Sequence, residues 1–330
     1  MKKVLFTTTA LVFTAGVASA EVGVSGFAEL GFFDDDTEFQ FHTDIDATLT
    51  MSGATDNGLA FGASIDIDET DGEGSCDDDA VAAADGSCDV TGGSAAFDAD
   101  TQGGESIFVS GGFGTVTMGD TDGALDWAMQ EALIGGSIQD NQEHGGYNGN
   151  AFFDGAGDGQ ILRYDYSLGD FAVGASLEQI ENGAGLDGPG DYVYGIGFRY
   201  GVEVGGGVRL NFGAGFQGCD NCEAYGISVD ARFDNGLRAI LNWSTADTDT
   251  DADGSETDHI GLAVGYQVDA LVVAANYGQF DADGVETEGY GAVINYDLGG
   301  GAEAQFGVGN TDADGADSVT TYSLGLALSF

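Results

Sequence analysis

The chain has 330 residues, of which 57 are acidic and only seven are basic, and its formal net charge at pH 7 is −50. This charge argues against nucleic-acid binding, because phosphates are bound by lysine and arginine side chains that displace counterions. It also creates self-repulsion that salt must screen, which suggests a saline habitat. Aromatic residues make up 11% of the chain, more than an acidic disordered segment would contain.

The N-terminus has the three parts of an export signal. Met1, Lys2 and Lys3 form a positive region, residues 4–17 are apolar, and Ala18-Ser19-Ala20 matches an A-x-A cleavage site. The apolar stretch is too short to span a membrane as a helix, which makes an N-terminal anchor the weaker alternative. We therefore predict a signal peptide at 1–20 and a mature chain at 21–330, which contains no lysine and five arginines.

Alternation of apolar and polar residues with a period of two predicts strands along the whole mature chain. The last twelve residues show it clearly, since Tyr322, Leu324 and Leu326 alternate with small or polar residues. Sixteen strands are predicted, at 22–33, 38–52, 58–68, 105–111, 114–120, 161–168, 171–180, 191–200, 204–216, 224–233, 237–245, 258–267, 271–280, 288–297, 302–310 and 319–330.

The connections between these strands alternate between short turns and longer acidic segments. The longer segments are 69–104, 121–160, 181–190, 246–257, 281–287 and 311–318. Short turns at one end and long loops at the other are typical of outer-membrane barrels, with the turns in the periplasm. All five arginines fall at the positions of their strands that alternate with the apolar residues, and so on the polar face of the sheet. A charged side chain there has a low free-energy cost only if that face lines water. The fold class predicted is all-β, a sixteen-stranded antiparallel transmembrane barrel.

Four segments of the chain resemble the general porins of purple photosynthetic bacteria. They are EVGVSGFAELGF from Glu21, LTMSGATDNGLAFGAS from Leu49, SIFVSGGFGTVTMGDTDGA from Ser106 and the closing SLGLALSF. The resemblance implies a homotrimer in the outer membrane of a Gram-negative cell, in contact with lipid and lipopolysaccharide. It also implies insertion by the barrel assembly machinery and passive diffusion of small hydrophilic solutes and cations through each barrel.

The resemblance further implies that the third external loop, Thr121 to Gln160, folds inward and narrows the pore. The expected constriction residues are Asp120, Asp122, Asp126, Glu131, Asp44, Asp46, Arg163 and Arg209. In the family the early strands tend to supply lumen arginines, whereas this chain has Asp44 and Asp46 there. We therefore expect a transverse field that is weaker than the family's or that rests only on Arg163 and Arg209, and a preference for cations.

Four cysteines in an exported chain predict disulfides. Cys76 and Cys88 fall in the second external loop (69–104). Cys219 and Cys222 fall in the fifth external loop (217–223), between the predicted ninth and tenth strands. Pairing within each loop is the simplest of three connectivities. The spacing of Cys219 and Cys222 also fits redox or zinc sites, but no strand–helix context or further ligand supports either.

Acidic loops repeat the string DADG at 251–254, 281–284 and 312–315. Asp249, Asp251 and Asp253 are spaced like the first half of an EF-hand, but Ile260 stands where the bidentate glutamate would be. Loose Ca²⁺ binding and a merely solvated loop both remain open, and no cofactor is required.

Nothing in the sequence predicts an enzyme. His42, His144 and His259 have no metal-ligand spacing, and neither a G-x-S-x-G motif nor a P-loop occurs. The main hypothesis is a passive, cation-preferring diffusion channel. The alternatives are a surface or adhesion barrel with acidic Ca²⁺-binding loops and little transport, and a soluble secreted β-protein.

Overall fold

A computed structural model describes residues 20–68, 104–155, 160–180, 192–248 and 255–330. It contains sixteen strands: β1 (Glu21–Asp34), β2 (Phe39–Ala54), β3 (Ala60–Asp68), β4 (Glu105–Gly111), β5 (Gly114–Gly119), β6 (Ile161–Leu168), β7 (Phe171–Gln179), β8 (Tyr192–Gly205), β9 (Val208–Cys219), β10 (Cys222–Phe233), β11 (Leu237–Thr248), β12 (Ser255–Val268), β13 (Leu271–Ala282), β14 (Val285–Gly299), β15 (Ala302–Ala313) and β16 (Val319–Ser329). A short helix α1 (Ala124–Ala128) and a 3-10 turn (Ile138–Asp140) lie between β5 and β6. Among the described residues, no helix is both long and apolar enough to cross a membrane.

The sheet closes on itself because each strand pairs antiparallel with its chain neighbours and β1 also pairs with β16. The closing register places Ala28 opposite Leu328. The terminal Phe330 extends this seam, since its amide nitrogen donates to the Gly26 carbonyl oxygen at 2.9 Å. Closure satisfies the backbone groups that an open edge would leave exposed, which a membrane interior requires. An even number of strands brings both ends of the barrel chain to the same end of the barrel.

The two faces of the sheet differ as the alternation predicts. On β8, Tyr192, Tyr194 and Ile196 are 45–50% exposed on the outside, while Val193 between them is 2% exposed. In lipid, this outer layer of aromatic and aliphatic side chains meets hydrocarbon, and the inner face carries the polar and charged residues. The predicted sixteen-stranded antiparallel barrel is therefore confirmed.

Several strands run further toward the long-loop end than the hydrophobic pattern indicates. The connections predicted at 281–287 and 311–318 shrink to Asp283-Gly284 and 314–318. At the short-turn end, the connection between β8 and β9 moves from 201–203 to Gly206-Gly207. The backbone ladder continues where apolar alternation stops, as in the pairing of Asp281 with Glu286. Strands can therefore continue as hydrogen-bonded hairpins past the end of their apolar alternation.

Some sequence expectations fall outside the described residues. These are the signal peptide except for Ala20, the cysteines Cys76 and Cys88, and the candidate Ca²⁺ ligands Asp249, Asp251 and Asp253. The other two DADG strings are described, and both make turns. Asp281 Oδ1 accepts a hydrogen bond from the Gly284 amide at 2.7 Å, and Asp314 Oδ2 accepts one from the Glu286 amide at 3.2 Å.

Candidate pore and constriction

The connection between β5 and β6 is here called the inner loop, and its described part (residues 120–155) lies inside the barrel along its wall. Its outgoing limb, residues 122–139, runs from β6 past β7–β14 to β1, and its return limb, 141–155, comes back to β7. The wall fixes it with side-chain hydrogen bonds: Ser176 Oγ with the Ala124 amide (2.8 Å), Ser228 Oγ with the Gln130 amide (2.9 Å), Asn242 Nδ2 with the Gln130 carbonyl (3.1 Å), Asn295 Nδ2 with the Gly136 carbonyl (2.8 Å), Asn276 Nδ2 with the Gln142 carbonyl (3.0 Å) and Asn148 Nδ2 with Ser244 Oγ (2.8 Å).

Glycines on the lumen face of the wall let the loop backbone approach this closely. A Cβ atom built on Gly213 of β9 would overlap the carbonyl oxygen of Ala128, and one on Gly309 of β15 would overlap that of Asn141. Only glycine lacks the atom that would collide. The inner loop is therefore seated on the wall rather than suspended across the lumen.

An apolar cluster holds the first and last parts of the inner loop against strands β7–β11. Leu125, Met129 and Phe153 of the loop pack with a wall set made of Ile180, Val193, Ala224, Ala246 and the two cysteines Cys219 and Cys222. Those cysteines form a disulfide across the two-residue turn between β9 and β10, a turn that replaces the expected fifth external loop. Buried apolar contacts of this kind stabilise the loop by roughly 1.5–3 kcal/mol per large side chain.

The first three strands form an acidic wall. It consists of Glu29 on β1, Asp44 and Asp46 on β2, and Asp66 on β3, with Glu29 directly opposite Asp44 in the ladder. The far end of the inner loop meets this wall, since the Gln139 amide donates to Glu29 Oε2 at 3.1 Å. Both predicted wall residues, Asp44 and Asp46, thus lie in the same wall that the loop reaches.

A histidine joins the acidic wall. His42 Nε2 lies 3.3 Å from Glu29 Oε2, and one ligand atom each from Glu29, His42 and Asp44 lie within 4.8 Å of one another. Imidazole and carboxylate oxygens are ligands for divalent metals such as Zn²⁺ or Mn²⁺. These three side chains are therefore the group in the described part of the chain whose geometry could hold a cation.

Two acidic residues of the inner loop, Asp126 and Asp154, are more buried than the sequence indicates. Asp126 is 8% and Asp154 is 9% exposed. Burial and the nearby carboxylate of Asp126 raise the pKa of Asp154 well above its usual value, although the Gly123 amide, 2.6 Å from Oδ2, acts in the opposite direction. Asp154 is not among the predicted site residues. The sequence indicates only that an aspartate lies in the loop predicted to fold inward.

Two further predicted residues take different positions. Glu131 accepts a hydrogen bond from the Tyr147 hydroxyl at 2.5 Å, and burial, followed by the charge of Glu131, raises the pKa of that tyrosine. Asp120 is exposed just after β5, where its amide donates to the Glu105 carbonyl at 2.8 Å. Glu131 therefore joins the two limbs of the loop, while Asp120 marks the point where the loop leaves the sheet.

The two predicted arginines are not neighbours in the pore. Arg163 on β6 donates to the Asp122 carbonyl at 2.6 Å, so it holds the start of the inner loop. Arg209 is the second residue of β9 and donates to Glu203 Oε1 at 3.2 Å. The structure thus brings Arg163 and Asp122 together, but places Arg209 at the short-turn end of the barrel.

The strand order sets acidic and basic residues on opposite sides of the lumen. In a closed ring of sixteen strands, β9–β11 are eight positions from β1–β3 and so face them. Arg209, Arg232 and Arg238 lie on β9, β10 and β11 respectively. The acidic wall therefore faces the strands that carry these three arginines, although the arginines lie nearer the short turns.

Sequence reasoning missed the wall residues that bind the loop backbone. The lumen-facing Asn242, Asn276 and Asn295 all donate to loop carbonyls, and Ser176 and Ser228 accept from loop amides. The sequence does show asparagine and serine side chains recurring on the polar face of strands β7–β14. That signal indicates hydrogen-bonding capacity but not which segment uses it.

A closed barrel with an apolar exterior, a charged interior and a long loop folded against its inner wall defines an outer-membrane channel. The chain belongs to the Gram-negative porin family, whose model matches residues 7–316. It is 28% identical to a porin of Rhodobacter capsulatus over 94% of this chain and the whole of the relative.

Solved structures show the same fold. The chain superimposes on a porin refined at 1.8 Å with a TM-score of 0.70 and 22% identity, and on a triple mutant of Rhodopseudomonas blastica porin with a TM-score of 0.62 and 16% identity. An anion-selective porin from Comamonas acidovorans gives a TM-score of 0.63 and 13% identity. Each match covers 94% of this chain and the whole of the other chain. As a member of this family the protein is a non-enzymatic porin of the outer membrane.

Proposed function

We propose that this porin is a passive diffusion channel for small hydrophilic solutes that prefers cations. The observation that carries the preference is the acidic wall of Glu29, Asp44, Asp46 and Asp66 at the place where the inner loop meets β1. Selectivity in a wide pore follows the potential of the side chains along the path rather than fitted coordination. Cations are therefore concentrated where the pore is lined by both wall and loop carboxylates.

The chain as a whole supports this sign of selectivity. Five arginines oppose 57 acidic residues once the predicted signal peptide is removed. Arg163 is 12% exposed and bonded to the loop, so its guanidinium is turned to the loop rather than to passing ions. At ~0.1 M salt the Debye length is about 10 Å, so the wall charges act on ions that pass close to them.

The test is the reversal potential of a KCl gradient across a planar bilayer that contains the purified protein. We expect a cationic sign that shrinks as the salt concentration rises. Asp44→Asn with Asp46→Asn should reduce it, and so should Asp122→Asn with Asp126→Asn. Asp269→Asn with Asp297→Asn, at the short-turn end of β12–β14, also removes two negative charges but away from the acidic wall, and should leave the reversal potential unchanged. An anionic reversal potential at low salt would refute the proposal.

We also propose that the protein is exported by cleavage after Ala20 and assembles as a homotrimer. The sequence of residues 1–20 supports the first part, and the resemblance to trimeric porins supports the second. N-terminal sequencing of the mature protein should begin at Glu21. Electrophoresis without heating should give a band at three times the chain mass that collapses on boiling, and a monomer band under mild detergent conditions would contradict the trimer.

The second candidate function is a surface barrel with Ca²⁺-binding acidic loops and little transport. The acidic DADG strings favour it, but Asp281 and Asp314 of the described strings already accept hydrogen bonds from backbone amides. Ca²⁺ would then be an optional ligand rather than a required cofactor. Planar-bilayer conductance separates the two functions, since a well-folded trimer without single-channel steps would favour the surface barrel.

A further inference from the structure

Four arginines gather near the short-turn end of four neighbouring strands. Arg209, Arg232 and Arg238 stand in one row across β9, β10 and β11, because Arg232 is directly opposite both of the others in the ladder. Arg199 lies on the adjacent β8. Like charges directly opposite each other in a sheet are unfavourable, so such a row requires compensation by negative charge.

A cavity of about 490 Å³ opens over this row. Arg199, Arg209 and Arg232 line it, with Ala128 and Gln130 of the inner loop above and Asp170 at the side. The side chains of Arg209 and Arg232 are 53% and 54% exposed, so water or a solute in the cavity can reach their guanidinium groups. A volume of this size is in the range that holds small molecules.

The compensating charge inside the barrel is incomplete. Arg232 Nε and Arg238 Nε both donate to the single buried carboxylate of Asp230, at 2.7 and 2.9 Å. Two guanidinium groups therefore share one negative charge. Arg209 pairs with Glu203, but both side chains are more than half exposed, and such a surface pair is weak.

Arg199 adds a fourth guanidinium group, on which Asp122, Asp126 and Asp165 act electrostatically from beyond salt-bridge distance. Its guanidinium carbon lies 4.2 Å from the ring centroid of Trp127 in α1, which fixes the group above the cavity. Across the described ranges, Arg199 makes no salt bridge, and its buried Nε has no hydrogen-bond partner. A donor of this kind is costly unless a ligand or water satisfies it.

We propose that this cavity, the arginine cavity, binds small organic or inorganic anions with a carboxylate or phosphate group at the periplasmic exit of the pore. The planar fork of a guanidinium presents paired N–H donors that match the two oxygens of either group. Arg209 and Arg232 supply the exposed forks, and Arg199 supplies a buried N–H donor without a hydrogen-bond partner among the described residues. The cavity thus gives a cation-preferring channel a local site for anions.

The experiment measures binding rather than current, so it does not depend on the selectivity proposed above. Purified protein in detergent at ~0.1 M ionic strength, where screening limits the reach of each charge to about 10 Å, is titrated calorimetrically with inorganic phosphate and separately with succinate. The double variant Arg209→Gln with Arg232→Gln should weaken binding about tenfold or more. Arg238 still holds the buried Asp230 carboxylate in this variant, which favours folding.

The matched variant is Arg209→Lys with Arg232→Lys, which keeps both positive charges and removes the paired donors of the guanidinium forks. We expect it to weaken binding about threefold or more, since an ammonium group presents no planar fork. Native affinity in this variant would show that a diffuse field holds the anions and would overturn the site. The absence of saturable binding by either anion to the native protein would overturn it as well. Stronger binding of phosphate than of succinate, or the reverse, identifies which of the two groups the cavity prefers.

Discussion

A methyl group added at Gly213 should detach the inner loop from the wall without disturbing the barrel. The Cβ of Gly213→Ala would overlap the Ala128 carbonyl oxygen, and it would lie 3.0 Å from the Ala128 carbonyl carbon and 2.6 Å from Ser228 Oγ. The first two obstacles are backbone atoms, which cannot turn aside as a side chain does. The loop must therefore shift inward, and Ser228 must rotate away from the Gln130 amide that it now binds at 2.9 Å.

Two contributions set the expected size of the effect. Overpacking of a close contact costs typically ~1–3 kcal/mol. Loss of the Ser228–Gln130 hydrogen bond costs about 1 kcal/mol. Partial relaxation of the loop will recover part of this, so we take about 2 kcal/mol for the loss of loop docking, which is a factor of about 30 in the undocked population.

Hydrogen–deuterium exchange read by mass spectrometry measures this population directly. Peptides that cover 122–148 in Gly213→Ala should exchange about 30-fold faster, while peptides from β14–β16 should keep their protection. Gly149→Ala is the matched control, because a Cβ at Gly149 in the same loop meets no atom within 4 Å. Equal exchange rates in the two variants would refute the idea that Gly213 is required for docking of the inner loop on the barrel wall.

Three further outcomes follow from the same structure. Deletion of Phe330 should lower the yield of folded barrel but leave conductance normal, because the residue closes the seam through its two hydrogen bonds with Gly26; normal yield with altered conductance would contradict this. Replacement of 129–150 by a short linker should raise single-channel conductance and admit larger sugars in liposome swelling, and unchanged conductance in folded protein would place the constriction elsewhere. The pKa of His144 is lowered to about 4 by burial and by the neighbouring His259, whereas a free imidazole titrates near ~6.5. Loop docking should therefore be strongest above a pH of ~6.5 and weaken as the pH falls toward 4. The weakening is measured as faster hydrogen exchange of the loop, and His144→Gln should make this exchange less dependent on pH than in the native protein.

The barrel could be predicted almost entirely from the sequence because its determinant is local. A period of two needs only neighbouring residues, and β6 was predicted with its observed bounds of 161–168. The errors lie where the backbone ladder and the apolar pattern separate. The predicted fourteenth strand began at 288, but β14 begins at Val285, because acidic residues outside the apolar pattern still form ladder hydrogen bonds.

The seat of the inner loop could not be predicted in the same way, because its determinants are far apart in the chain. The Gln142 carbonyl accepts from Asn276, which is 134 residues away, and the Gln130 carbonyl accepts from Asn242, which is 112 residues away. Alternation places each asparagine on the lumen face but contains no information about its partner. The same holds for the arginine cavity, since three arginines on separate strands become neighbours only through the register of the ladders.

The distance between the acidic wall and the arginine cavity determines whether they form one field or two. Strands ~4.8 Å apart and tilted by about 40° give a sixteen-stranded barrel roughly 30 Å across. At ~0.1 M salt this is about three Debye lengths, and at ~0.01 M it is about one. In ordinary salt, cations near β1–β3 and anions near β9–β11 therefore respond to separate surfaces of one pore. In dilute salt each ion responds to both surfaces, and under the proposed cation preference the excess of carboxylates over arginines sets the sign of the selectivity.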